Sequence, residues 1–322
     1  MRPAAQLTAF VAILAVALGV SFGVGNAVGP VADSEPSGDH AGGHDDPAAE
    51  GHDSAEGHLP GGLQVSQSGY TLDLDKTTRE TGTQSLRFRI LGEDGEQVTD
   101  YVSNHEKDLH LIVVRRDATG FQHVHPTLDE SGTWEADVDL TAGTWRVFAD
   151  VQPKGADEAM TLGADVQVSG AYSPESTPTD STTARVGDYT VTLEGELAPG
   201  KERDLTLRVT KDGKPVSDLD PYLGAYGHLV ALRSDDLAYL HVHPNGEPGD
   251  GTTQPGPEVT FTTTAPSSGA YRLFLDFKHE GKVRTAEFTT TAATPTGGGS
   301  APTTSNSPAP EATPGGHGEH DH

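Results

Sequence analysis

From Tyr70 onward the chain alternates apolar and polar residues in short runs. Tyr70-Thr71-Leu72-Asp73-Leu74, Leu86-Arg87-Phe88-Arg89-Ile90 and Leu205-Thr206-Leu207-Arg208-Val209 repeat with period two, the spacing at which one strand face meets a core. Asp-Gly and other turn signals separate these runs, and helical periodicity is nearly lacking. The pattern predicts an all-β protein.

The runs also repeat as a set. Tyr70–Leu74 matches Tyr189–Leu193, and Leu86–Ile90 followed by Glu93-Asp94-Gly95 matches Leu205–Val209 followed by Lys211-Asp212-Gly213. Gly143-Thr144-Trp145-Arg146-Val147-Phe148-Ala149-Asp150 matches Gly269-Ala270-Tyr271-Arg272-Leu273-Phe274-Leu275-Asp276. Two tandem β-sandwiches follow, immunoglobulin-like or cupredoxin-like, at residues 63–170 and 186–292 with a linker over 171–185. Each has room for a single core.

Within each repeat stands a histidine hairpin. His110 lies in an apolar run thirteen residues before His123-Val124-His125-Pro126, and His228 lies thirteen before His241-Val242-His243-Pro244. Folding the second copy about Asp235 and Asp236 pairs Leu232 with Tyr239, Val230 with His241 and His228 with His243. The first copy, looped through residues 116–119, sets Ile112 opposite His123 and His110 opposite His125. Opposed residues share a face at about 4.5–5.5 Å between Cβ atoms, so each hairpin gathers three imidazoles, close enough to meet an ion at about 2.0–2.1 Å. Asp150 and Asp276, on the late strand, approach the histidines if that strand lies beside the one carrying His110 or His228. The competing reading pairs each Asp with Arg146 or Arg272. His105 and His279 have no counterpart in the other repeat and read as surface residues.

Composition narrows the chemistry. The net charge of −27 disfavours nucleic acid and anionic membrane surfaces and favours cations. The sequence has no cysteine, which removes disulfides and thiolate metal sites. With Met1 and Met160 as the thioethers, the ligands are imidazole and carboxylate, suited to Zn, Cu(II) or Ni, of which Zn or Cu(II) is the expected ion. An unmetallated cluster bound by hydrogen bonds beside the His-Pro turn is the structural alternative.

The ends are of different character. An apolar stretch at residues 7–20 places a signal peptide or membrane-anchoring apolar helix within residues 1–32, and so an extracellular or cell-surface location. Residues 33–62, acidic and His-rich, and residues 293–322, rich in Pro, Thr and Gly and ending in a His/acidic cluster, are expected to be disordered.

The motifs Gly-His-Leu-Val…Leu-His-Val-His-Pro and Gly-Ala-Tyr-Arg-Leu-Phe-Leu-Asp-Phe resemble the secreted, His-rich tandem-β proteins of high-GC Gram-positive bacteria, described as heavy-metal-binding or uncharacterised. The resemblance spans about residues 70–290 and implies export and a link to copper or another divalent metal. A looser similarity joins the late strand to exported copper-resistance carriers, although this chain lacks their leading ligand histidine and Met-rich site. His241-x-His243-x-x-x-Glu247 has the first cupin spacing, but the second cupin motif is missing, as are nucleophile elbows and phosphate loops. The sequence therefore predicts no enzyme. It predicts a metal-sequestering or metal-delivering protein, with a cell-surface structural or adhesive module as the alternative.

Overall fold

Alternation becomes burial in the computed structural model, which describes residues 59–293. The predicted N-terminal helix, most of the 33–62 segment and the C-terminal tail lie outside the described residues.

The first half carries β1 (Ser66–Gln67), β2 (Tyr70–Leu74), β3 (Thr78–Arg79), β4 (Gly82–Leu91), β5 (Leu109–Arg115), β6 (Gln122–Val124), β7 (Thr127–Leu128), β8 (Trp134–Leu140), β9 (Gly143–Val151) and β10 (Met160–Val168). The second half carries β11 (Thr183–Val186), β12 (Tyr189–Glu194), β13 (Glu202–Lys211), β14 (Lys214–Pro215), β15 (His228–Arg233), β16 (His241–Pro244), β17 (Glu258–Thr264), β18 (Gly269–His279) and β19 (Lys282–Ala292). No helix occurs among the described residues. The second sandwich starts inside the expected linker, because Thr183–Val186 pairs with β12.

Each half is a sandwich. Sheets β1-β2-β4-β8-β7 and β3-β10-β9-β5-β6 form the first, β11-β12-β13-β17-β16 and β15-β18-β19 the second. Their inner faces interdigitate as sandwich cores do. Phe88, Trp145 and Leu111 fill the first, and Phe261, Tyr271 and Phe277 fill the second. In β18 the residues Tyr271, Leu273, Leu275 and Phe277 face this core, as their alternation predicts.

A third apolar cluster lies between the sandwiches. Ile112, Val114, Ala118 and Phe148 of the first meet Val230, Leu232, Leu237 and Phe274 of the second, with Phe121 and Tyr239 at the edge. The strands β5 and β15 therefore bury both faces, which accounts for their unbroken apolar runs where a half-exposed strand would alternate. Arg116 donates to the Asp236 carbonyl across this contact at 3.2 Å.

The chain just before β1 belongs to the fold as well. Gly61 bridges to Tyr239, and Gly62 donates to the Thr161 carbonyl at 2.7 Å. Residues 61–62 thus depart from the disorder expected of them, because backbone pairing with both halves holds them. Gly163, inside β10, allows this approach: a Cβ there would stand 2.0 Å from the Gly62 carbonyl oxygen.

Candidate metal centre

The site forms where the outer faces of the two halves meet. In β5, His110 shares its face with Ile112 and Val114, and in the antiparallel ladder it stands opposite Asp150 of β9. The same relation holds in the second half, where His228 of β15 stands opposite Asp276 of β18. The late strands do lie beside the histidine strands. Neither aspartate pairs with the neighbouring arginine: Arg146 binds Asp165 and Arg272 binds Glu287.

The first hairpin has the register read from its sequence, with Ile112 opposite His123. His110, His123 and His125 converge, each offering a nitrogen within 4.8 Å of the others. His110 Nδ1 is 3.1 Å from His123 Nε2 and 3.2 Å from His125 Nε2.

The second hairpin departs from expectation. Its register is as read as far as Leu240, which donates to the Ala231 carbonyl, and Leu232 bridges Tyr239. There the chain leaves β15. His241 pairs instead with Thr264 and His243 with Thr262, both on β17 of the opposite sheet. The expected pairs Val230–His241 and His228–His243 are therefore replaced. A segment at a sandwich corner meets two open edges, and hairpin symmetry takes account of one of them. The side chains of His241 and His243 lie outside the described residues.

A further expectation, one self-contained cluster per sandwich, also changes. His123 Nδ1 donates to Asp276 Oδ2 of the other half at 2.8 Å, with both side chains almost fully enclosed. Asp276 Oδ1 accepts from Thr285 Oγ1 at 2.5 Å. Asp276 thus stands behind the three-histidine group, and docking of the two outer faces puts it there. Asp150 lines a cavity of about 470 Å³ together with His105, His110, His123, His228 and Glu247. The one described hydrogen bond of its side chain is a long one, 3.4 Å from Thr161 Oγ1. Asp150 lies outside the converging group.

Two histidines read as surface residues are at least half enclosed. His105 lines the cavity, its ring centroid 5.0 Å from that of His228. His279 is buried, with Nδ1 2.8 Å from the Tyr189 hydroxyl and Nε2 3.1 Å from Asp218. Their lack of repeat counterparts is no measure of exposure.

Two tight turns complete the site. Asn104–Lys107 and Tyr222–Ala225 close with reciprocal backbone hydrogen bonds, and their central residues have positive φ: His105 48°, Glu106 64°, Leu223 54° and Gly224 72°. That is the geometry of a type I′ turn, rare for Leu. These turns present the Asn104 carbonyl to His110 Nε2 and the Leu223 carbonyl to His228 Nε2, each at 3.0 Å. Nothing in the spacing of the histidines signals either carbonyl.

These outer partners fix the tautomers. A carbonyl or carboxylate accepts, so His110 and His228 carry hydrogen on Nε2 and His123 carries it on Nδ1. The inner nitrogens, His110 Nδ1 and His123 Nε2, then face each other. Burial lowers the pKa of His110 to about 4 and those of His125 and His228 to about 3, the charges of neighbouring histidines adding to the effect. Burial raises Asp150 to about 6. At neutral pH these imidazoles are in the form that binds metal. Tetrahedral ligation at about 2.0–2.1 Å sets neighbouring nitrogens roughly 3.3 Å apart, close to the two separations measured from His110 Nδ1.

A family model described as a domain of unknown function (DUF8832) matches twice, at residues 64–169 and 184–294. The chain belongs to that family. Both copies carry the histidine hairpin, and their boundaries coincide with the two sandwiches. Among curated proteins none matches the sequence. Superpositions on solved structures are loose. A Salmonella alpha-2-macroglobulin aligns at 16% identity over 74% of this chain and 15% of that one, with a TM-score of 0.25. The Escherichia coli adhesin FdeC aligns at 14% identity over 73% and 66%, with a TM-score of 0.21. Fibronectin(III)-like modules of Clostridium thermocellum CbhA align at 8% identity over 70% and 95%, with a TM-score of 0.20. This chain spans a small part of the macroglobulin's length.

Proposed function

We propose that this is an exported protein that binds a divalent transition metal, Zn(II) or Cu(II), for sequestration or delivery, and that His110, His123 and His125 hold the ion. One observation carries the reading. The Asn104 carbonyl and Asp276 take the outer hydrogens of His110 and His123, so the inner nitrogens of the two rings meet at 3.1 Å, with His125 Nε2 3.2 Å from the first. Three imidazole nitrogens turned toward one point suit a shared cation, and a divalent ion binds all three where a proton bridges two. Carboxylate and carbonyl partners behind ligating imidazoles are the usual outer support of such sites.

Export rests on the apolar stretch at residues 7–20, and the acidic, His-rich ends would concentrate cations around the fold. The similarity to secreted His-rich tandem-β proteins points the same way, with immunoglobulin-like or cupredoxin-like sandwiches as the finer description of the fold. His228, His241 and His243 remain the sequence-level counterpart of the first triplet, with Asp150 and Asp276 as flanking carboxylates.

Calorimetric titration of the whole protein with Zn(II) and Cu(II) at pH 7.5 tests the reading, alongside a variant with His110, His123 and His125 all changed to Ala. We expect a saturable, tight component in the parent that the triple variant lacks. Identical isotherms would reject the folded site and leave an acidic, structural pair of β modules.

A further inference from the structure

Strand β6 has three residues and hydrogen-bonds to β5. Within its own sandwich the His123 ring meets His110 and His125, the residues with which it converges. Among the described hydrogen bonds, no carboxylate of the first sandwich reaches the His123 ring. Asp150, the residue equivalent to Asp276 in the repeat, bonds to Thr161 instead.

Asp276, in contrast, is held firmly. It stands in the central strand of the β15-β18-β19 sheet, opposite His228 on one side and Thr285 on the other. The Thr285 hydroxyl occupies Oδ1 and leaves Oδ2 for His123. The contact spans 153 residues of sequence. It survives because the apolar faces around Phe148 and Phe274 are packed beside it.

We propose that the metal centre belongs to the docked pair of sandwiches, with Asp276 of the second acting as the positioning residue for His123 of the first. The inference rests on the reading that His110, His123 and His125 hold the ion. A carboxylate at Nδ1 fixes the ring's orientation and tautomer and makes Nε2 a better donor to metal. Affinity at the first hairpin is thereby tied to docking of the second half, so a disturbance that separates the halves releases the ion.

The test uses the full chain with Asp276→Leu and Asp276→Glu, and Asp276→Asn should the leucine variant fail to fold. Nitrogen-15 imidazole spectra of the metal-free protein report which His123 nitrogen carries hydrogen, and zinc titration reports affinity. We expect Nδ1–H in the parent, loss of that single tautomer in the leucine variant, and zinc binding weakened about 10–100-fold. The glutamate variant should recover part of both. An unchanged tautomer with unchanged affinity overturns the inference. A parent chain that binds no zinc overturns the metal reading itself, and the tautomer signal, which needs no ion, tells the two failures apart.

Discussion

Phe121 and Phe274 stack face to face, their ring centroids 4.0 Å apart and their planes 4° from parallel, one ring from each sandwich. Phe274 is fully buried although it points away from its own sandwich core. This pair stands at the apolar cluster that joins the two halves.

Replacing Phe274 by Ala should therefore loosen docking more than folding of the second sandwich. A buried Phe→Ala change costs about 3–5 kcal/mol. We expect urea unfolding followed by fluorescence to split into two transitions in the variant, where the parent shows one. A single transition shifted as a whole would show that the halves fold as one unit regardless.

Two histidine substitutions should behave in opposite ways. His125→Ala removes a member of the converging group and should abolish tight Zn(II) binding while changing metal-free stability little. His279→Ala leaves a buried Tyr189 hydroxyl without its partner, at a cost of about 1–3 kcal/mol, and should leave the zinc isotherm unchanged. Calorimetry and thermal melts on both variants check the contrast.

Stability should fall as pH falls from 7 to 4. His110 titrates at about 4 and His125 and His228 at about 3 in the fold, burial being the leading cause, against about 6.5 in the unfolded chain. Between those limits the unfolded state binds more protons, so the contribution is complete above about pH 6.5 and is lost on acidification. Asp150 acts in the opposite sense. Its folded pKa of about 6 gives stability below the ordinary carboxylate range that fades as pH rises through 6. Three imidazoles outweigh one carboxyl, so the net effect between pH 6 and 4 is loss of stability on acidification. Urea midpoints across that range give the slope. A flat profile would contradict the buried, neutral cluster.

Bound metal should stabilise the fold by mass action. At a free Zn(II) concentration one hundred times the dissociation constant, the gain is about 2.7 kcal/mol. The melting temperature should rise with zinc, return on chelation and stay fixed in His110→Ala. Equal shifts in parent and variant would assign the effect to the His-rich ends.

Much of this was legible in the residues themselves. The alternation of Leu86–Ile90 and Tyr271–Phe277 named the strands and their core-facing sides. Equal spacing from His110 to His123 and from His228 to His241 exposed the duplicated hairpin, and turn symmetry set Ile112 opposite His123. The departure of β16 onto β17 was not legible, because hairpin register describes two strands and says nothing of a third edge competing for the same amides. The unbroken run Leu109–Val114 did hold a sign that both faces of β5 are covered, without saying by what.

Local chemistry along the chain thus determined two sandwiches, their inner faces and the placing of three imidazoles on one hairpin, since these depend on neighbours a few residues apart or on one ladder. Tertiary structure alone decided that the outer faces dock, that both halves line one cavity, and that His123 of one half takes Asp276 of the other as its partner. Those contacts arise from burying two apolar surfaces against each other, a long-range packing event that no spacing within either repeat records.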